Sequence, residues 1–138
     1  MRTTLQDQIT DAAEQRQQFL AIVVADVAGK GIPASLLMAI CRTNLLQIAP
    51  RHDSPGRVLI ELNRALAADI DQGHYITMLY AVIDTVARSV TFARAGHELP
   101  LFARLDAKSG AFLPVFVGSE GMPLGMVPDA LFSAVIAD

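Results

Sequence analysis

The sequence predicts an α+β domain in which two helices pack on a largely antiparallel sheet. Three observations predict it. A short, continuous apolar run rich in β-branched residues, from Phe19 up to Asp26, reads as a strand. Two stretches with helical spacing follow between residues 33 and 70. From residue 75 onward the apolar period drops to two and is broken only by turn-forming residues. The resulting order, one strand, two helices and then strands alone, segregates helices from sheet, which is the mark of the α+β class.

Each element has its own signals. Residues 4–18 are polar and rich in helix formers, with Leu5, Ile9 and Ala12/Ala13 at helical spacing, and read as a weak N-terminal helix. Residues 19–26 are continuously apolar up to Asp26, the pattern of a strand buried on both faces. A Gly29-Lys30-Gly31 turn follows. Pro33 suits a first helical turn, and Leu37, Ile40/Cys41, Leu45 and Ile48 give a stripe that Pro50 ends. Ser54 as N-cap and Pro55 as first helical residue open a second helix over 55–70, with Gly73 just past its end. Residues 75–84 and 89–95 read as a hairpin around Thr85-Val86-Ala87, and 99–105 and 111–117 as another around 106–110. Residues 118–128 carry three glycines and two prolines and read as a loop, and 131–136 as a last strand.

Composition narrows the function. The chain has 138 residues, 52% of them apolar and 18% charged, with mean hydropathy +0.38, so it fits one domain with a sizeable core. Net charge is −3 with no basic cluster, which argues against nucleic acid as a partner. The longest unbroken apolar run, residues 19–25, is far short of the roughly 20 residues of a membrane span. The single cysteine, Cys41, forms no internal disulfide and reads as a small core residue in a reducing, cytoplasmic setting.

The segment from Val24 to Ala34, VADVAGKGIPA, is the leading candidate for chemistry. Asp26 stands where a strand runs into a flexible turn, a position suited to ligands for hard cations. Lys30 adds a charge that can face phosphate. On spacing alone, a carboxylate that merely caps its own turn outweighs that reading. The segment is no P-loop: Val24 stands where the first glycine of that motif belongs and Gly31 where its Ser or Thr belongs. His97, in Ala95-Gly96-His97-Glu98, is read first as a turn histidine bonded to backbone, with phosphate, metal or acid roles behind that. No G-x-S-x-G is present, and Cys41 on an apolar stripe is a poor nucleophile.

Taken together these signals resemble one family in order and spacing. ADVAGKGIPASLLMA at residues 25–39 is similar to the G-D-V-S-G-K-G-x-P-A-A-L-L-M-A signature of SpoIIE/RsbU-type phosphatases, a branch of the metal-dependent PPM-type serine/threonine protein phosphatases. SPGRVLIELNRAL and YITMLYAVID resemble the family's next helix and strand, FARAGHELPL its A-G-H segment, and GMPLGMVPDALF its G-x-P-L-G loop. The resemblance runs from about residue 19 to 136. It implies an α-β-β-α layered sandwich of antiparallel sheets flanked by helices, of which this chain is the central part, incomplete at both ends. Residues 1–18 then form a polar, helix-prone segment and residues 19–138 the central part of a single phosphatase domain.

The resemblance further implies hydrolysis of phosphoserine or phosphothreonine on a partner protein, such as an anti-sigma-factor antagonist in bacterial signalling. A homodimer is compatible with it. Two Mn²⁺ or Mg²⁺ ions are implied, with a metal-activated water and no protein nucleophile. Asp26 matches the metal-bridging aspartate and the Val27 backbone carbonyl a further ligand. Gly29, Lys30 and Gly31 match the loop that shapes the site, and His97 a motif residue on the substrate or loop side. Two departures are mild: Ala25 for glycine and Ala28 for serine. A third is larger. The family's upstream G-G-D-[FY]-x-D motif has no counterpart in residues 1–18, where Asp7 and Asp11 are poor substitutes, and its later acidic motifs are expected beyond residue 138. Truncation and degeneration both account for this, so a non-catalytic, partner-binding pseudophosphatase stands as the alternative.

Overall fold

The computed structural model describes residues 18–70, 73–118 and 120–137, so the helix expected over 4–18 lies, but for Gln18, outside the described residues. Four strands form one antiparallel sheet: β1 (Phe19–Val27), β2 (Ile76–Asp84), β3 (Ser89–Ala95) and β6 (Ala134–Ala137), in the order β1-β2-β3-β6. β4 (Leu101–Leu105) and β5 (Phe112–Phe116) pair separately as a hairpin. The β2–β3 turn is locally encoded. The Asp84 Oδ1 atom accepts the amides of Val86 and Ala87, both at 2.9 Å. These bonds, with the Gln18 side chain, hold the Asp84 carboxyl below its usual range, the Ala87 amide contributing most.

The helices are α1 (Ile32–Ile48) and α2 (Pro55–Leu66), joined by a short 3₁₀ turn at Ala49–Arg51. Both lie on one sheet face, as the two-helix reading expects. Val58, Leu59, Leu62 and Leu66 of α2 are fully buried against Ile76, Met78, Ala93 and Ala95 of the sheet, and Leu37, Cys41 and Leu45 of α1 extend the same cluster. Each such leucine contributes roughly 1.5–3 kcal/mol by leaving water. Gly56 lets α2 approach closely, because a Cβ there would sit 2.3 Å from the Phe132 carbonyl oxygen. On the opposite face Phe92 is buried beneath Phe102, their ring centroids 5.8 Å apart, so the β4–β5 hairpin leans on that side.

Three expectations need correction. The strand read as buried on both faces is an exposed edge: Phe19, Leu20 and Val24 are 54%, 55% and 47% exposed, and β1 pairs only with β2 among the described residues. An unbroken apolar run reports that a strand suits burial, not that a neighbour is present. The second helix ends at Leu66, four residues short of Ile70, because the backbone there tightens into turns whose amides at Asp69 and Ile70 both reach the Leu66 carbonyl. α1 is apolar around more than one stripe, with Ile32, Leu36 and Leu46 well exposed. Ile32–Arg51 is for that reason long and apolar enough to cross a membrane by length and composition, a property that counting unbroken runs overlooks. Its inner face is nevertheless core.

Cys41 is 1% exposed, and burial pushes its thiol up to about 11. The thiolate is the reactive form. Modification of the folded protein by an aromatic disulfide reagent at neutral pH is therefore expected to be at least about tenfold slower than in denaturant. Equal rates would place Cys41 outside the core.

Candidate active site

The sheet's register assembles the site. In β1 the side chains alternate, and Asp26 falls on the face opposite the helices, directly across from Thr77 of β2. Its carboxylate is exposed and makes no hydrogen bond or ion pair with the described residues. The turn-cap reading is thereby set aside, since such a cap would be bonded to the backbone it holds. Val27, next along, buries its side chain in the core. Gly29 and Gly31 take positive φ values of 115° and 81°, a region that favours glycine. The Gly31 carbonyl then starts α1, accepting the Ser35 amide at 3.1 Å and the Ser35 hydroxyl at 3.0 Å. Lys30 projects from this turn into solvent and forms no ion pair with the described residues.

His97 comes to the same place from the far end of β3. Its Nδ1 lies 3.0 Å from the Thr77 hydroxyl, and that hydroxyl lies 3.4 Å from the Asp26 carbonyl oxygen. The ring is thus bound to a side chain rather than to backbone, as the plainer reading of the motif had it. Gly96 adopts φ 63° against the Pro123 ring and donates its amide to the Gly121 carbonyl at 2.8 Å. The Arg94 guanidinium donates to the His97 carbonyl.

The loop carrying Gly121 and Pro123 is anchored from beneath by Asn63, the buried polar side chain of α2. Its amide nitrogen donates to the Val127 and Pro128 carbonyls at 2.8 and 2.9 Å, and its oxygen accepts the Gly125 amide at 2.8 Å. Sequence reasoning singled out neither Thr77 nor Asn63. Asn63 could have been found as an amide set among Val58, Leu59, Leu62 and Leu66 on an apolar helix face. Thr77 could not, because its importance lies in a register linking residues 51 positions apart.

Divalent ions of the Mn²⁺ and Mg²⁺ class want about six oxygen donors each. Among the described residues no three His, Cys, Asp or Glu side chains cluster to hold a metal. Asp26 is one carboxylate, so these residues do not by themselves complete a metal site. The arrangement instead supplies a free carboxylate, a glycine turn open to close approach and a fixed imidazole on one sheet end.

Comparison with known proteins bears on this arrangement. A family model described as Stage II sporulation protein E (SpoIIE) matches residues 16–136. Phosphoserine phosphatase RsbU of Bacillus subtilis (strain 168) is 37% identical over 113 residues, covering 82% of this chain and 32% of RsbU. Phosphoserine phosphatase RsbP of the same organism is 27% identical over 117 residues, covering 82% and 28%. The chain therefore spans about a third of the length of these curated relatives. Among solved structures, the RsbU and RsbW domains of Rv1364c from Mycobacterium tuberculosis superpose with a TM-score of 0.69 at 24% identity, over 86% of this chain and 32% of that one. The PP2C phosphatase domain of SpoIIE from Bacillus subtilis gives 0.65 at 18% identity, over 86% and 34%. These two likenesses establish the fold.

Proposed function

The chain belongs to the SpoIIE family, in the RsbU-like branch of the PPM-type phosphatases, and from that membership we propose that the whole protein hydrolyses phosphoserine or phosphothreonine on a partner protein. The observation that carries this reading is the free Asp26 carboxylate at the β1 end, beside the Gly29–Gly31 turn, on a residue whose backbone carbonyl is joined to His97 by two hydrogen bonds through Thr77. Asp26 and the Val27 carbonyl serve as ligands to Mn²⁺ or Mg²⁺, with the remaining donors drawn from residues beyond those described. Gly29 and Gly31 keep the turn open for the phosphate, and Lys30 offers it a positive charge. The substrate class is a regulatory phosphoprotein of the anti-sigma-factor-antagonist kind, met in the cytoplasm. The fusion of RsbU and RsbW domains in the Mycobacterium tuberculosis neighbour favours a partner in that kind of circuit.

The test is release of phosphate from a phosphoserine peptide with millimolar Mn²⁺, by the full-length protein and by residues 1–138 alone. Turnover is expected from the first and little or none from the second, since one carboxylate leaves a held ion mostly to water. Comparable turnover by both would show that acids such as Asp7 or Asp11 complete the site. The lack of a metal-holding cluster among the described residues also favours a second reading, a pseudophosphatase that binds its partner without hydrolysis. Tight binding of the phosphoprotein with no phosphate release by the full-length protein would select it.

A further inference from the structure

We infer that Thr77 is a positioning residue that holds His97 in its Nδ1–H tautomer and so leaves the other ring nitrogen, Nε2, as an unprotonated acceptor. The inference rests on the phosphatase reading only for what Nε2 would meet, a water or a phosphate hydroxyl. The tautomer is inferred from the two contacts of the Thr77 hydroxyl taken together. A threonine hydroxyl has one proton to give and lone pairs to accept with. The Asp26 carbonyl oxygen, 3.4 Å away, can only accept, whereas Nδ1, 3.0 Å away, either donates or accepts. Both contacts are made at once only if the hydroxyl gives its proton to the carbonyl and takes one from Nδ1. The nearer contact is then the N–H bond, and the neutral ring carries no proton on Nε2.

Nε2 has no hydrogen-bond partner among the described residues, and no partially buried side chain of those residues keeps an unpaired polar atom shut away from solvent. Among the described residues, nothing therefore commits Nε2. The backbone that carries the ring is held, and so is one ring nitrogen. Gly96 is pinned against Pro123 and bonded to Gly121, the His97 carbonyl is held by Arg94, and Nδ1 is held by Thr77. An imidazole on a held backbone, with one nitrogen committed and one free, is the usual preparation for a directed hydrogen bond. Thr77 shares both the Asp26 backbone and the His97 ring, so it sets the orientation of each relative to the other.

The test is a long-range ¹⁵N–¹H correlation spectrum of the full-length protein labelled at histidine, recorded above about pH 8, where imidazole is neutral. His97→Gln identifies the His97 signals by their disappearance. The expected wild-type pattern is a protonated Nδ1 and an unprotonated Nε2. Thr77→Val keeps the side-chain shape and removes the hydroxyl, and is expected to shift His97 toward the Nε2–H form. Thr77→Ser is expected to restore the wild-type pattern. A wild-type protein with His97 protonated on Nε2, or a Thr77→Val protein with unchanged tautomers, overturns the inference whether or not the protein is a phosphatase. With phosphoserine peptide, Thr77→Val is expected to lower kcat about tenfold with KM near wild type, and Thr77→Ser to recover most of it.

Discussion

Asp26→Asn in the full-length protein is expected to lower Mn²⁺-dependent turnover of a phosphoserine peptide by at least about a hundredfold. Residues that only orient a metal ligand typically cost 10–100-fold when lost, so a ligand itself should cost no less. The substitution preserves shape and removes the charge a hard cation requires. Stability should be unchanged, because the carboxylate is exposed and bonded to nothing in the described residues. The paired measurements are turnover, Mn²⁺ affinity by calorimetry and thermal midpoint. A mutant that binds Mn²⁺ and turns over like wild type removes Asp26 from the site. A mutant that loses several degrees of melting temperature shows instead that the residue is structural.

Asn63→Leu is expected to destabilise the domain by about 2–4 kcal/mol and to reduce activity through loss of loop position. One side chain closes three bonds, from Gly125 and to Val127 and Pro128. Leucine fits the apolar helix face but leaves the Gly125 amide and two carbonyls to find other partners at the edge of the core. The consequence reaches the site because the same loop supplies the Gly121 carbonyl and the Pro123 ring that seat Gly96, one residue before His97. Asn63→Asp is the informative control. It keeps an acceptor for Gly125 but turns a carboxylate oxygen toward two carbonyls, so it should be no more stable than the leucine variant. Denaturant titration of both against wild type decides this, and an Asn63→Leu protein of wild-type stability would mean the loop is held by something else.

How much of this was legible in the sequence depended on range. The β2–β3 hairpin, the β4–β5 hairpin and the starts of both helices were readable because their causes are local: Asp84 at its turn, Asp106 and Gly110 at another, and a proline in the first turn of each helix, although the Ser54 side chain read as a cap makes no capping bond. The face that β1 presents was not readable, since an apolar run is the same whether a strand lies inside a sheet or at its rim. Of the site, Asp26 and the Gly29–Gly31 turn stood out as a contiguous motif. What joins them to His97 did not, because it runs through Thr77, and a threonine within a strand is ordinary until the register shows what lies across from it. Asn63 was hidden for a related reason: its partners arrive more than 60 residues later in the chain.

The pairing of β1 with β2 also has a consequence for how the chain is made. β1 leaves the ribosome first among the described strands, yet its hydrogen-bonding partner follows only after both helices. At ordinary rates of about 5–20 residues per second, that delay amounts to seconds. The β2–β3 hairpin, by contrast, closes in microseconds once its two halves are out. Between the emergence of β1 and that of β2, the nascent protein therefore carries an apolar strand without its β2 partner, and demand for holding chaperones should fall once β2 is out.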